Sequence, residues 1–127
     1  MNNRDIASTY KQAAIESAPP IKIVRLLYEG AIRNLERARR LDVDTEMVAF
    51  TDLVLKADAI ISELRLCLDP EPNPAVAEQL TGLYLFCEGE LTRALGEEDA
   101  GPLVGAINVL RTLLDAWKQV EVASEAA

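Results

Sequence analysis

Apolar residues recur along most of the chain at steps of three and four positions, the spacing that places side chains on one face of an α-helix. The first run steps through Ile21, Val24, Tyr28, Ala31 and Leu35. It begins after Pro20, a residue that suits the first position of a helix because its missing N–H would have no partner there. Three further runs show the same stepping. Together they predict helices at about residues 20–40, 45–68, 74–95 and 100–122.

The segments between these runs contain residues that stop or start helices. "LDVDT" separates the first two, with Asp44 or Thr45 as the predicted N-cap of the second helix. "DPEPNP" ends the second helix, and Gly96 is the predicted residue after the third. Because the connections are short, we predict an all-α, antiparallel four-helix bundle. Residues 1–19 are predicted to be an N-terminal arm, and residues 123–127 a frayed tail.

The second and third helices carry more apolar residues than one packing seam requires. The second has two parallel seams, which indicates contact with two neighbours, or with one neighbour and a ligand. We therefore consider a partner-binding groove formed by Ile60, Ile61, Leu64, Leu68, Leu83, Tyr84 and Phe86. The same residues could equally form two ordinary packing faces. The predicted core anchors are Tyr28, Leu35 and Trp117.

Glycines interrupt three of the four helical runs. Gly30 lies inside the first helix, beside Ala31, where a small residue would allow a partner helix to approach closely, although a tolerated defect is equally consistent. Gly82, Gly89 and Gly105 lie inside the third and fourth helices, and each costs about 1 kcal/mol relative to alanine. These glycines either loosen the bundle or allow close approach.

Composition and charge reduce the number of functions that the protein could have. The chain has 127 residues, a length that suits one domain, and a formal net charge of −8. This charge disfavours binding to nucleic acid and to anionic membranes. Residues 20–40 nevertheless carry six basic and two acidic residues. We interpret them as a basic first helix that makes rim ion pairs with its acidic neighbours, rather than as a docking patch.

Residues with catalytic or metal-binding potential are scarce. Histidine is absent, which excludes the diiron bundles, and Cys67 and Cys87 lack the spacing of a zinc or redox motif. Glu63, Glu88 and Glu90 fall off the apolar seams and are predicted to be solvated. We therefore expect no catalytic residues, no metal and no cofactor, and a binding protein rather than an enzyme. No signal peptide or membrane-spanning run is visible, so a cytoplasmic location is expected.

Three blocks of sequence carry a resemblance to a known family. The first comprises Tyr10, "SAPP" at 17–20 and "LYEGAI" at 27–32. The second is "AIISEL" at 59–64 with Leu68-Asp69 and Leu83-Tyr84, and the third is "LLDAW" at 113–117. In this order and spacing they resemble FliS, the flagellar export chaperone family, over nearly the whole chain.

The resemblance implies a function that the bulk properties do not. It implies a cytosolic four-helix bundle that binds the C-terminal segment of flagellin, prevents premature polymerisation and supports delivery to the flagellar export apparatus. An export-gate component would be a further partner. It also implies that the N-terminal arm, with Ile6 and Tyr10, caps the groove until flagellin displaces it. The alternative is a generic helical adaptor or regulatory bundle that self-associates, for instance as a homodimer.

Overall fold

The structure is a computed structural model that describes residues 21–126, most of them in four helices. We label them α1 (Ile21–Arg39), α2 (Met47–Leu66), α3 (Pro74–Glu97) and α4 (Leu103–Ala126). Within these residues there is no strand. The prediction of an all-α protein is confirmed. The predicted arm and the last tail residue lie outside the described residues.

The four helices form a closed ring. Each helix packs against the next one in the chain, and α4 packs back against α1. Arg25 near the start of α1 pairs with Glu121 near the end of α4, whereas Glu36 near the end of α1 pairs with Arg111 earlier in α4. The first and last helices are therefore antiparallel. The diagonal pairs, α1 with α3 and α2 with α4, have no close backbone contact in the described chain, so the space between them is filled by side chains.

The centre of the bundle is aliphatic except for four large aromatic residues, of which Phe50 of α2 is one. Tyr28 of α1, Tyr84 of α3 and Trp117 of α4 are fully buried, as is Leu35. The hydroxyl groups of Tyr28 and Tyr84 hydrogen-bond to each other across the bundle diagonal. Burial raises the pKa of both tyrosines, so both hydroxyls stay neutral and can donate. This arrangement satisfies polar atoms that would otherwise destabilise the core.

Two helix ends differ from the prediction. The second helix is preceded by Glu46, whose side chain makes no cap hydrogen bond, so the prediction of Asp44 or Thr45 as N-cap is wrong. The Asp42 carboxylate instead accepts a hydrogen bond from the Asp44 N–H at 3.0 Å, and the Glu46 carboxylate accepts one from the Asp42 N–H at 2.9 Å. The acidic side chains of this connection therefore accept hydrogen bonds from backbone N–H groups within the loop. They are then not available to cap the first turn of α2.

At the other end, α3 continues past Gly96 to Glu97, so the prediction that Gly96 follows the helix is also wrong. The left-handed residue is Glu98, with φ 52°, and the Asp99 N–H closes the turn on the Ala94 carbonyl at 3.0 Å. A non-glycine residue in this conformation is uncommon. The neighbouring Leu95 is half-buried against the core, and this packing favours continuation of the helix through the glycine.

The buried Gly30 does not explain a close helix approach. A methyl group placed there would lie 3.7 Å from Ile60 Cδ1 of α2 and 3.8 Å from the side chain of Arg33. These are ordinary van der Waals distances, so alanine would fit. Of the two interpretations of this glycine, the structure favours the tolerated defect.

Candidate partner-binding surface

The seven predicted groove residues do not share one surface. Ile61, Leu64 and Tyr84 point into the core and are at most 1% exposed. Ile60 is half-buried beside Gly30 of α1, and Leu68 is half-buried in the connection that follows α2. Only Leu83 and Phe86, both on α3, are exposed. Any partner-binding role therefore rests on the α3 residues, and the α2 residues act in packing.

The seam between α2 and α3 is closed by polar groups rather than open to a ligand. The Glu88 carboxylate of α3 accepts hydrogen bonds from Ser62 Oγ at 2.8 Å and from Arg65 Nε at 3.2 Å, both on α2. Burial, together with the nearby Glu88 charge, raises the pKa of Asp58 on the same seam. The prediction that Glu88 is solvated is wrong: its side chain is only 15% exposed. An apolar segment could not enter here without breaking this ion pair.

The exposed apolar surface lies instead on α3 and its border with α4. Leu83 and Phe86, three residues apart, are neighbours on the outer face of α3, and Leu85 lies on the opposite side of Phe86 from Leu83. Phe86 faces α4, because a methyl group at Gly105 of α4 would lie 3.5 Å from Phe86 Cζ. Half-buried Val109 follows one turn further along α4. We call these five residues, Leu83, Leu85, Phe86, Gly105 and Val109, the α3–α4 strip.

Glycines shape the surface of the strip. Gly82 precedes Phe86 by four residues and Gly89 follows it by three, so both are its neighbours on the helix surface. A methyl group at either glycine would have no atom within 4 Å. Phe86 therefore stands between two shallow depressions, into which apolar side chains of another helix would fit. Leu85 did not emerge from the sequence as a candidate; the signal available was an off-seam leucine between two glycines.

A short chain of charges borders the strip. Glu90 lies beside Gly105 and pairs with Arg93 at 3.0 Å, and Arg93 also lies 4.0 Å from Glu97. An apolar centre with a polar rim is the usual anatomy of a protein–protein interface. Exposed large apolar side chains occur elsewhere in the described residues too: Ile23 and Leu26 on α1, Val48, Leu55 and Leu66 on α2, and Val104 and Val122 on α4.

The side chains near the strip are unsuited to catalysis. Burial raises the pKa of the Cys87 thiol to about 12, and the thiol lies 3.8 Å from the Ala106 carbonyl, so it behaves as a small apolar residue. Burial also raises the pKa of Cys67. Among the residues that the structure describes, no cluster of acidic, cysteine or histidine side chains could hold a metal ion. The surface offers contact area rather than reactive groups.

A second polar cluster, on the border of α1 and α4, was also missed by the sequence reasoning. Glu36 of α1 is the one charged side chain that is buried among the described residues. Its carboxylate accepts hydrogen bonds from Arg39 at 2.9 Å and from Arg111 of α4 at 3.0 Å. The Arg39 hydrogen bond holds the pKa of Glu36 below its usual value. These hydrogen bonds connect α1 to α4, and the three side chains are charged, so they add no apolar contact surface.

A protein-family comparison decides what kind of bundle this is. The family model described as "Flagellar protein FliS" matches residues 1–124. The chain belongs to the FliS family. The resemblance found in the three sequence blocks is thereby confirmed, and it extends over both the arm and the bundle.

Individual FliS proteins match over most of their length. The flagellar secretion chaperone FliS of Campylobacter jejuni is 35% identical over 114 residues, which cover 90% of this chain and 88% of that one. The Vibrio cholerae protein of the same name is 31% identical over 121 residues, with 92% and 89% covered. The Salmonella typhimurium protein is 31% identical over 110 residues, with 86% and 82% covered.

FliS is a chaperone family rather than an enzyme family, which confirms the prediction that this protein is not an enzyme. It also agrees with a surface that offers apolar contact area and with the burial of the Cys87 thiol. In the described residues, no helix is long and apolar enough to cross a membrane.

Proposed function

We propose that this FliS-family protein is a cytoplasmic flagellar export chaperone that binds the C-terminal segment of flagellin, prevents its premature polymerisation and supports its delivery to the export apparatus. The observation that carries the proposal is the α3–α4 strip, with Leu83 37% and Phe86 47% exposed on a family member whose relatives are named as flagellar secretion chaperones. A tail that is amphipathic when unassembled needs a partner for its apolar face, and such a strip provides one.

The strip favours a helical occupant. Phe86 projects between the depressions at Gly82 and Gly89, so a helix with apolar residues three or four positions apart could place them on either side of the ring. Burial of the exposed part of two large side chains would contribute on the order of 1–3 kcal/mol, before any contact along the rest of the tail. The Glu90–Arg93 pair at the edge would remain in water and supply a polar rim.

The N-terminal arm is proposed to compete with flagellin for this strip. Ile6 and Tyr10 lie outside the described residues, and their role as a cap is taken from the family resemblance. A cover of this kind would lower the apparent affinity for flagellin by the fraction of molecules that are open. An export-gate component is a further proposed partner. Self-association through the strip, as a homodimer or a generic adaptor, is the alternative function.

The proposal is tested by titrating the protein with a labelled C-terminal flagellin peptide from the same organism. We expect a complex of defined stoichiometry. The double variant Leu83→Ser/Phe86→Ser should bind about tenfold more weakly or worse, because two exposed apolar side chains lose their contacts. The matched control is Val48→Ser/Leu55→Ser on α2, which removes two side chains that are 87% and 52% exposed. It should bind like the wild type.

Three outcomes would count against the proposal. Equal weakening by both double variants would show that the strip is not the site. Self-association without peptide binding would favour the adaptor alternative. Removal of residues 1–17 should speed association of the peptide, by at most about 150-fold if the cover is worth up to 3 kcal/mol. Slower association after this deletion would mean that the arm contacts flagellin instead of covering its site.

A further inference from the structure

The outward face of α1 carries four cations, one near its start and three near its end, with Leu26 and Glu29 on the same face between them. Lys22, Arg33 and Arg37 lie at helical spacings that place them on one face, and Arg40 continues the row in the closing turn, where its N–H bonds to the Arg37 carbonyl at 3.2 Å. All four residues are exposed. The row is about 27 Å long at the rise of an α-helix. We call Lys22, Arg33, Arg37 and Arg40 the basic ridge.

The ridge residues lack the ion pairs that their neighbours make. Arg25 pairs with Glu29 and Glu121, and Arg39 pairs with Glu36. By contrast, no acidic group of residues 21–123 lies within ion-pair distance of any ridge side chain. The sequence predicted that the basic first helix would be neutralised by acidic neighbours. That holds for Arg25 and Arg39 and not for the ridge.

Helix stability does not account for the ridge. The helix dipole stabilises cations near a helix C-terminus, and this effect accounts for Arg37 and Arg40. Lys22 stands at the opposite end, where the dipole disfavours a positive charge and the first turn holds no acidic residue. Arg33 and Arg37 are four residues apart, a spacing at which like charges destabilise a helix. Glu29 and Glu36, four residues before Arg33 and Arg40, offset part of this repulsion, and an external anionic group would offset more of it.

The ridge contrasts with the charge of the rest of the chain. Residues 1–20 contain Arg4, Lys11, Asp5 and Glu16, so their formal charges sum to zero. Without the four ridge cations the net charge of −8 becomes −12, so the rest of the surface repels anionic lipid, nucleic acid and a second copy of the chain alike. A partner that approaches the ridge must be anionic along one narrow face and small enough to avoid the acidic remainder.

From this charge complementarity we propose that the basic ridge docks an acidic segment of a second partner protein, helical or extended, with carboxylates spaced to meet Lys22, Arg33, Arg37 and Arg40. The site is distinct from the α3–α4 strip, since α1 and α3 lie diagonally across the bundle and only their inward side chains meet. The chaperone can therefore hold its cargo and this partner at the same time. The electrostatic contacts also make the association fast and sensitive to salt.

The test uses an amidated helical peptide of about 20 residues that carries glutamates at alternating spacings of four and three along one face. Its control is the same peptide with glutamine at those positions. Binding to full-length protein is followed by fluorescence anisotropy at two ionic strengths. The double variant Arg33→Glu/Arg37→Glu should bind the glutamate peptide about tenfold more weakly than the wild type, since two attractive pairs become repulsive.

The matched control is Lys56→Glu/Lys118→Glu, which changes two exposed lysines on α2 and α4 and gives the same net charge. It should bind within about twofold of the wild type once general screening is allowed for. Both doubles should keep the wild-type circular dichroism spectrum and the wild-type affinity for the flagellin peptide. This last measurement separates failure of the ridge from failure of the proposed chaperone function.

Four results would overturn the proposal. The first is equal weakening by the two double variants, which would leave only diffuse charge. The second is equal binding of the glutamate and glutamine peptides. The third is ridge-dependent binding to phosphatidylserine vesicles, which would assign the face to a membrane. The fourth is a salt-sensitive dimer of the wild type, abolished by Arg33→Glu/Arg37→Glu in sedimentation, which would assign it to a second copy of the chain.

Discussion

Helices α1 and α3 present the same kind of surface to the core and opposite kinds to the solvent. Inward, both carry an uninterrupted apolar seam, and the seams meet through the hydroxyl groups of Tyr28 and Tyr84. Outward, α1 carries the four cations of the basic ridge beside the exposed apolar residues Ile23 and Leu26. The outer face of α3 instead carries Leu83, Leu85 and Phe86 between glycines. The difference separates two tasks, since the inner faces specify the fold and the outer faces specify what the fold meets.

The comparison also shows why α3 can carry an exposed apolar face. The stability of α3 does not depend on its outward residues, because Leu80, Cys87 and Leu91 are buried on its inward side. In addition, the Asn73 side chain caps the first turn by accepting a hydrogen bond from the Val76 N–H at 3.2 Å. The outer face is therefore free of packing constraints. The outer face of α1 is likewise not needed for packing, and it carries the basic ridge.

The largest expected effect separates an inward leucine from an outward one. Leu35 of α1 is fully buried, and Leu85 of α3 is 51% exposed. We expect Leu35→Ala to lower the free energy of unfolding by about 2–5 kcal/mol, through lost burial and the cavity left behind. Leu85→Ala should change it by less than about 0.5 kcal/mol. Urea denaturation, followed by circular dichroism and analysed at constant slope, measures both.

If Leu85→Ala proved as damaging as Leu35→Ala, the outer face of α3 would be part of the core and the strip would not be a free surface. A tryptophan fluorescence spectrum adds a check. Trp117 is the sole tryptophan and is fully buried, so its emission should stay blue-shifted in both folded variants.

The inward half of this comparison could be predicted from the sequence, and the outward half could not. Stepping by three and four identified Val24, Leu80 and Leu110 as seam residues, and all are buried. This works because burial of a helix face depends on periodicity alone. Membership in a groove depends on how each helix rotates about its axis and on which neighbour it meets. Periodicity does not determine those, so Ile61 and Phe86 appeared equivalent in the sequence.

The polar residues of the flanks illustrate the same limit. Glu36 and Glu88 both sit at the edge of an apolar seam, where a carboxylate can face water or a cation on the next helix. Which of these occurs depends on the register between helices, here the pairing of Glu36 with Arg111 and of Glu88 with Arg65. A single sequence contains the charges but not the register.

Replacing one glycine on each of α1 and α3 tests the same comparison with a smaller change in the free energy of unfolding. Gly30→Ala on α1 and Gly89→Ala on α3 should each raise the free energy of unfolding by about 0.5–1 kcal/mol, because each restricts the unfolded chain within a helix interior. The added methyl group at Gly30 would meet Ile60 Cδ1 at 3.7 Å, and the one at Gly89 would meet nothing within 4 Å. Thermal and urea unfolding measure both gains.

The two replacements should differ in binding. Gly89→Ala fills one depression beside Phe86, so the affinity for the flagellin peptide should fall about threefold to tenfold, the size expected when a packed contact is overfilled by a methyl group. Gly30→Ala should leave that affinity unchanged. A more stable Gly89→Ala variant that bound normally would show that the depressions are not used.

The smallest expected change in the free energy of unfolding concerns one carboxylate at the edge of each helix. Glu36 of α1 pairs with Arg39 and with Arg111 of α4, whereas Glu90 of α3 pairs with Arg93 of its own helix. The Arg39 hydrogen bond lowers the pKa of Glu36 from its ordinary value of 4.5. A carboxylate with a lowered folded-state pKa stabilises the fold above the unfolded pKa, and this contribution is lost as the pH falls through the folded one.

We therefore expect Glu36→Gln to lower the free energy of unfolding by no more than about 1 kcal/mol at pH 7, the range of partly exposed ion pairs. The difference from the wild type should persist at pH 5 and shrink as the pH falls through the lowered folded-state pKa of Glu36, because the carboxyl is then protonated in both states. Glu90→Gln is the matched control and should cost less, because only an intrahelical pair is lost. Urea titrations of the three proteins at pH 7, 5 and 3 measure this. A wild-type advantage over Glu36→Gln that grew in acid would contradict the assignment, since only a carboxylate whose charged form is disfavoured in the folded state behaves that way.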